Sequence, residues 1–210
     1  MANILQQFQD ALLSIDRANA KRILYETLER VSFSYAIESL IVDALEKIGS
    51  GWESGEYSLS QVYMSGKICE ELVETLLPPE GDQQMQAPRM AISLLSDYHA
   101  LGKRIVYSNL RAAGFNLLDY GRMDPEALVE RILHDDIQLM LLSVLMLPSA
   151  WHVKKVREML DAKSSQVKIV VGGAPFRLDK QLWEQVGADA VGYTASDAIS
   201  IVQSFIEGGK

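Results

Sequence analysis

Two residues carry the side chains most suited to chemistry, Asp97 and His99, within Asp97-Tyr98-His99-Ala100-Leu101-Gly102. The apolar run Met90-Ala91-Ile92-Ser93-Leu94-Leu95 precedes them and Gly102-Lys103-Arg104-Ile105-Val106 follows. Such a run reads as a buried strand, and the spacing of Ile105, Leu110 and Ala113 reads as a helix. His99 is therefore expected in a strand-to-helix loop at the edge of an α/β sheet, where ligands bind. Asp97 is close enough in sequence to hold one ring nitrogen and leave the other for a metal; such a carboxylate fixes the tautomer and raises ligand basicity. One histidine is too few for a protein-built zinc site, and the only cysteine, Cys69, lies in another segment. A lone histidine ligand makes sense where a macrocycle fills the other positions. The alternative is a histidine held by a loop aspartate for structural reasons alone.

The elements that must position this loop alternate in type. Strands are expected at Met90 to Leu95, Asn116 to Tyr120, Leu139 to Ser143, Lys168 to Val171 and Ala190 to Val191. Helices are expected at Gly102 to Ala113, Pro125 to His134, Ala150 to Lys163, Lys180 to Val186 and Ser196 to Ile206. With right-handed crossovers this order gives a doubly wound, five-stranded parallel sheet of flavodoxin or Rossmann type. Three of its loops should meet at the carboxyl edge. They carry Asp97 and His99, then Ser143-Val144-Leu145-Met146-Leu147-Pro148-Ser149, then Val171-Gly172-Gly173-Ala174-Pro175. Paired glycines let a ligand approach the backbone, although Gly172-Gly173 also reads as a tight turn. The sequence has no GxGxxG fingerprint, no Walker phosphate loop and no serine in a nucleophile elbow.

Ahead of the sheet the pattern is helical. Ile4, Phe8, Ala11 and Leu12 share a face, as do Ile23, Leu24, Leu28 and Val31. A third helix carries Ala36 to Ile48 and is expected to stop at Gly49-Ser50-Gly51; a fourth starts near Ser58 and runs through Leu76 to Pro78-Pro79. We therefore expect a four-helix bundle over 1–77, a proline-bounded linker over 78–88 and the α/β domain over 89–210.

Composition narrows the class. The chain has 210 residues, is 48% hydrophobic and carries a net charge of -8, with a pI near 4.9. That balance argues against a nucleic-acid surface. No apolar run is long enough to cross a bilayer. The first residues lack the basic and apolar regions of a secretory signal, and one cysteine excludes a disulfide framework. These features point to the cytoplasm, with neither nucleic acid nor membrane as partner.

Asp-x-His-x-x-Gly, then Ser-x-Leu, then Gly-Gly resembles the cobalamin-binding module of methionine synthase and of corrinoid methyltransferase proteins. Ile48-Gly49-Ser50-Gly51-Trp52 through Leu59-Ser60-Gln61-Val62 resembles the helical cap ahead of that module, and Arg111-Ala112-Ala113-Gly114-Phe115 and Val170 to Pro175 read as corrinoid-protein sequence. The resemblance covers nearly the whole chain.

It implies a set of roles. His99 would be the lower axial ligand of cobalt, replacing the cofactor's own benzimidazole, with Asp97 hydrogen-bonded behind it and Ser149 completing a relay. Ser143 would contact the displaced nucleotide tail in a slot beside the sheet, lined by Gly102, Gly172 and Gly173. Tyr98, Ala100, Leu101, Leu145 and Leu147 would complete the cofactor-binding surface, and Tyr193, Thr194 and Ala195 would close over the tail. Trp52, Leu59 and Val62 match the apolar cap residues over the cofactor's upper face; on spacing alone those three read as helical core. There are departures: Ser96 and Ala100 stand where many family members have Gly and Asp, and Leu147 replaces a tail-facing threonine.

The implied cofactor is cobalamin or a related corrinoid, cycling between methylcob(III)alamin and cob(I)alamin. The implied role is that of a methyl carrier, the corrinoid subunit of an O-, N- or S-demethylase system, since the chain is too short to hold a methyl-donor barrel of ~250 residues. Its partners would be a substrate-specific methyltransferase, a second methyltransferase that uses tetrahydrofolate or a thiol, and a reductive activase. A cobalamin-dependent sensor is the other reading. Light-sensing members carry a Glu-His pair where this sequence has Val62-Tyr63, and a DNA-binding domain ahead of the bundle, which is not seen here.

Overall fold

The computed structural model describes residues 2–76 and 88–208. The chain falls into two compact units, Met1–Leu77 and Pro78–Lys210. Apart from Pro88, the expected linker lies outside the described residues.

The first unit is helical: α1 (Ala2–Leu13), α2 (Arg17–Leu28), α3 (Phe33–Ala36), a π-helical stretch (Ile37–Val42), α4 (Asp43–Glu53) and α5 (Leu59–Thr75). The segment from α3 to α4 is continuous, so four rods form, with α1 packing on α2, α4 and α5. Phe8, Leu12, Leu24, Ile37, Ile41, Ile48 and Ile68 are fully buried between them, each worth about 1.5–3 kcal/mol. The expected stop at Gly49-Ser50-Gly51 is corrected: the helix runs on to Glu53. Gly51 serves packing, since a Cβ there would lie 2.3 Å from the Tyr57 ring. The stop is Gly55, whose left-handed φ of 80° lets the Gly55 and Glu56 amides turn back to the carbonyls of Trp52 and Gly51. Then Ser58 caps α5: its Oγ accepts from Gln61 N while Gln61 Oε1 accepts from Ser58 N.

The second unit alternates strand and helix: β1 (Met90–Leu95), α6 (Leu101–Ala112), β2 (Leu118–Met123), α7 (Pro125–His134), β3 (Leu139–Ser143), α8 (Leu147–Asp161), β4 (Lys168–Gly172), α9 (Ala174–Leu178), α10 (Leu182–Gln185), β5 (Ala190–Gly192) and α11 (Asp197–Gly208). The five strands are parallel in the order β2-β1-β3-β4-β5. Strand order reverses between β1 and β3, so the loops after these two strands part at the switch point.

Alternation along the strands divides the core. Ala91, Leu95, Met140, Leu142, Ile169 and Val171 pack with residues of α7 and α8, including Leu128, Val153 and Leu160, and with Phe176 of α9. Met90, Ile92, Leu139, Leu141 and Val170 pack with Leu110 of α6 and with Ala198 and Val202 of α11.

Most element ends fall within two residues of expectation, and the larger differences have local causes. β2 starts at Leu118 and ends at Met123, because Gly114, at φ 89°, ends α6 and Phe115 N caps back to Leu110. α8 starts at Leu147 rather than Ala150, with Pro148 in its first turn where no amide is needed. The helix expected over Lys180 to Val186 is the shorter α10, and Ala174–Leu178 forms α9 instead of loop.

Candidate functional site

Asp97 ties the two loops of the switch point together. It is 4% exposed. Its Oδ2 accepts from the backbone amides of Leu145 at 2.6 Å and Met146 at 3.3 Å, and its Oδ1 accepts from Ser149 Oγ at 2.9 Å. A bond to an ionised acceptor contributes about 1.5–3 kcal/mol. The early start of α8 puts Ser149, 6% exposed, in its first turn and within reach. A carboxylate offers about four acceptor positions. Three are filled here by described residues, and the fourth is on Oδ1.

His99 is exposed. No described residue hydrogen-bonds its ring, so the expected Asp97–His99 bond is not made in this structure. Tyr98 is 78% exposed, with the Arg122 guanidinium stacked 4.5 Å from its ring centre. Ala100 and Leu101 open α6. Leu145, Met146 and Leu147 are 38%, 55% and 56% exposed on the β3 side. An exposed imidazole thus lies two residues from a buried carboxylate that joins its loop to the exposed apolar residues after β3.

The residue before Asp97 is strained. Ser96 has φ 59°, a left-handed conformation that costs a non-glycine residue about 1–2 kcal/mol. The departure from Gly at this position therefore keeps the glycine-like backbone. Ser96 N donates to Met123 O at 3.0 Å, and Ser96 Oγ lies 2.9 Å from Nδ1 of His152 on α8.

Beside the loop, the sheet face toward α6 and α11 ends in a row of paired residues: Leu94 with Ser143, Ser143 with Gly172, Gly172 with Gly192. Three of the four have small side chains or none, which makes a lane of small residues at the carboxyl edge; at its Gly192 end, Asp197 Cβ and Ile201 Cδ1 stand 3.7 and 3.8 Å from where a Cβ would be. Gly102 faces it from α6: a Cβ there would stand 3.5 Å from Ser143 Oγ, and one on Gly172 would stand 3.0 Å from Gly192 O. Gly173, at φ 121°, supports the edge, because a Cβ there would lie 1.8 Å from Val144 O. At the end of the lane, Tyr193 N and Thr194 N donate to Asp197 Oδ2 at 2.8 and 2.9 Å, which fixes the turn that carries Ala195 into α11. Lys180 Nζ lies 3.6 Å from the centre of the Tyr193 ring.

In the helical unit, Trp52 lies in the last turn of α4 and Leu59 opens α5, with Val62 one turn on. Trp52 is 48% and Leu59 65% exposed, and Val62 is partly buried. Helical core is thus not the environment of Trp52 or Leu59.

Three participants escaped the sequence reading. Gly192 had a signal, a glycine ending an apolar strand. Ser96 was noted only as a departure, and its partner His152 had no signal, since the two lie 56 positions apart.

The residues fit a corrinoid: one exposed imidazole on a loop held by Asp97, exposed apolar side chains on the β3 loop that Asp97 joins to it, and a lane of small residues at the carboxyl edge. The comparisons agree. Residues 90–202 match the model of the B12 binding domain, and residues 4–77 match a second B12 binding domain model. The trimethylamine corrinoid protein 1 of Methanosarcina mazei is 29% identical, covering 97% of this chain and 99% of its own length. The dimethylamine corrinoid protein of Methanosarcina barkeri is 28% identical, covering 94% of each. The solved monomethylamine corrinoid protein of Methanosarcina barkeri superposes with a TM-score of 0.81 at 26% identity, over 97% of this chain and 99% of that one. The chain belongs to the B12 binding domain family and is a corrinoid-binding protein.

Proposed function

We propose that the chain is a methyl carrier that takes a methyl group from a substrate-specific methyltransferase and yields it to a second one. The observation that carries the proposal is the exposed His99 imidazole two residues from the buried Asp97 carboxylate at the switch point. When bound, the corrinoid supplies a cobalt centre able to accept and donate a methyl group. His99 would be its lower ligand. The open acceptor position on Asp97 Oδ1 would take a His99 ring N–H, so proton occupancy there and ligand strength at the other nitrogen would be linked. Ser149, already on Oδ1, would hold the carboxylate in place. Ser143, Gly102, Gly172, Gly173 and Gly192 would admit the nucleotide tail. Trp52, Leu59 and Val62 would serve the cofactor's upper face. Relatives named for trimethylamine, dimethylamine and monomethylamine make a methylated amine the donor class to try first.

The test is electron paramagnetic resonance of the cobalt(II) form after loading with hydroxocobalamin. We expect coupling to one protein nitrogen that is lost in His99→Ala. Unchanged coupling in that variant overturns the axial assignment.

A further inference from the structure

We propose that His152 is a positioning residue: it holds Ser96 in the left-handed conformation that aims Asp97 at the β3 loop and leaves His99 facing outward. This rests on the reading of His99 as cobalt's lower ligand only for its consequence in the loaded protein. The geometry itself belongs to the loop.

Ser149 and His152 are three residues apart on α8 and so lie on one helical face. They grip two consecutive residues of the β1 loop, Ser149 Oγ on Asp97 Oδ1 at 2.9 Å and His152 Nδ1 on Ser96 Oγ at 2.9 Å. Ser96 needs that grip. Its φ of 59° is natural for glycine and unfavourable for serine, while its amide is committed to Met123 O. Without the side-chain bond, relaxation of Ser96 to an ordinary φ would swing Asp97 off the amides of Leu145 and Met146. His152 is partly buried. On the same surface, Glu126 of α7 pairs with Lys155 of α8.

A glycine at position 96 would need no such restraint, and this makes the idea separable from simple loss of packing. Amide hydrogen exchange of the unloaded full chain should show Leu145 and Met146 exchanging about tenfold faster in His152→Ala. Both Ser96→Gly and the double variant Ser96→Gly/His152→Ala should exchange at the wild-type rate. His152→Asn, which can place a side-chain nitrogen near Nδ1, should restore most of the protection. Equal rates in wild type and His152→Ala would overturn the proposal. Equally fast exchange in His152→Ala and the double variant would do so too, since His152 would then act on something other than the Ser96 backbone. Failure of the axial reading shows elsewhere, as cobalt(II) coupling that survives His99→Ala.

Discussion

Ser149 Oγ donates to Asp97 Oδ1 at 2.9 Å, across 52 positions of sequence, with both side chains buried. The bond joins the loop after β1 to the first turn of α8. It is made without a bond to His99, so it fixes the loop independently of that ring.

Asp97→Asn places an amide NH₂ where two backbone amides and a hydroxyl already donate. The unloaded chain should lose about 2 kcal/mol in urea unfolding. Ser149→Ala should lose about 1 kcal/mol, and the double variant less than the sum, because the two share one bond. Strict additivity would mean that they do not act together.

Lys103 and Asp119 form an asymmetric ion pair, with side chains 6% and 38% exposed. Losing the carboxylate strands a buried ammonium, whereas losing the ammonium leaves a carboxylate that water reaches. Asp119→Asn should therefore cost about 3 kcal/mol and Lys103→Met about 1 kcal/mol or less. Urea midpoints in the reverse order would refute that account.

Burial pushes the Cys69 thiol up to about 12. At pH 8 the folded chain should react with a disulfide reagent on the order of 1,000-fold more slowly than the urea-unfolded chain. Comparable rates would mean that α5 opens readily.

Asp135 is held well below the usual carboxylate range by bonds from Arg131, His134 and Tyr120. A folded value below the unfolded one stabilises above the ordinary carboxylate range, and that stability is lost as pH falls through the folded value. Wild type should thus lose more urea resistance between pH 5 and pH 3 than Asp135→Asn. Parallel losses would remove Asp135 from the acid response.

The sequence made the sheet legible because five apolar runs are separated by helical spacing, and it made Asp97, His99, Ser143 and Ser149 legible because they fall in one recognisable order. What it hid was set by contacts between distant segments. Gly51 read as a helix stop, yet it is a seat for the Tyr57 ring. β2 is an edge strand with polar residues, and its register shifts between Ile92 and Leu94. Its continuation to Met123 therefore has no apolar signature, though Met123 O is what holds Ser96 N. The hold of His152 on Ser96 joins residues 56 positions apart, which no local spacing can show, while the reach of Ser149 to Asp97 depends on α8 starting three residues earlier than its apolar spacing suggested.

The lane along Ser143, Gly172 and Gly192 separates fold from function more sharply than any other feature. Its residues end their strands, beyond the packed core of Leu141 and Val170, and Ser143 is only partly buried. Ser143→Val keeps strand propensity and adds a methyl-sized group opposite Gly102, whose Cβ position is already 3.5 Å from Ser143 Oγ. Unfolding free energy should change by no more than about 1 kcal/mol, while hydroxocobalamin affinity falls at least ~10-fold, about 1.4 kcal/mol. Gly173→Ala should behave differently. Its Cβ would sit on Val144 O, 1.8 Å away, and force the segment carrying the Leu145 and Met146 amides off Asp97, so stability and affinity should fall together. Equilibrium dialysis and urea unfolding of both variants check the contrast. Undiminished affinity in Ser143→Val would show that the tail does not enter this lane.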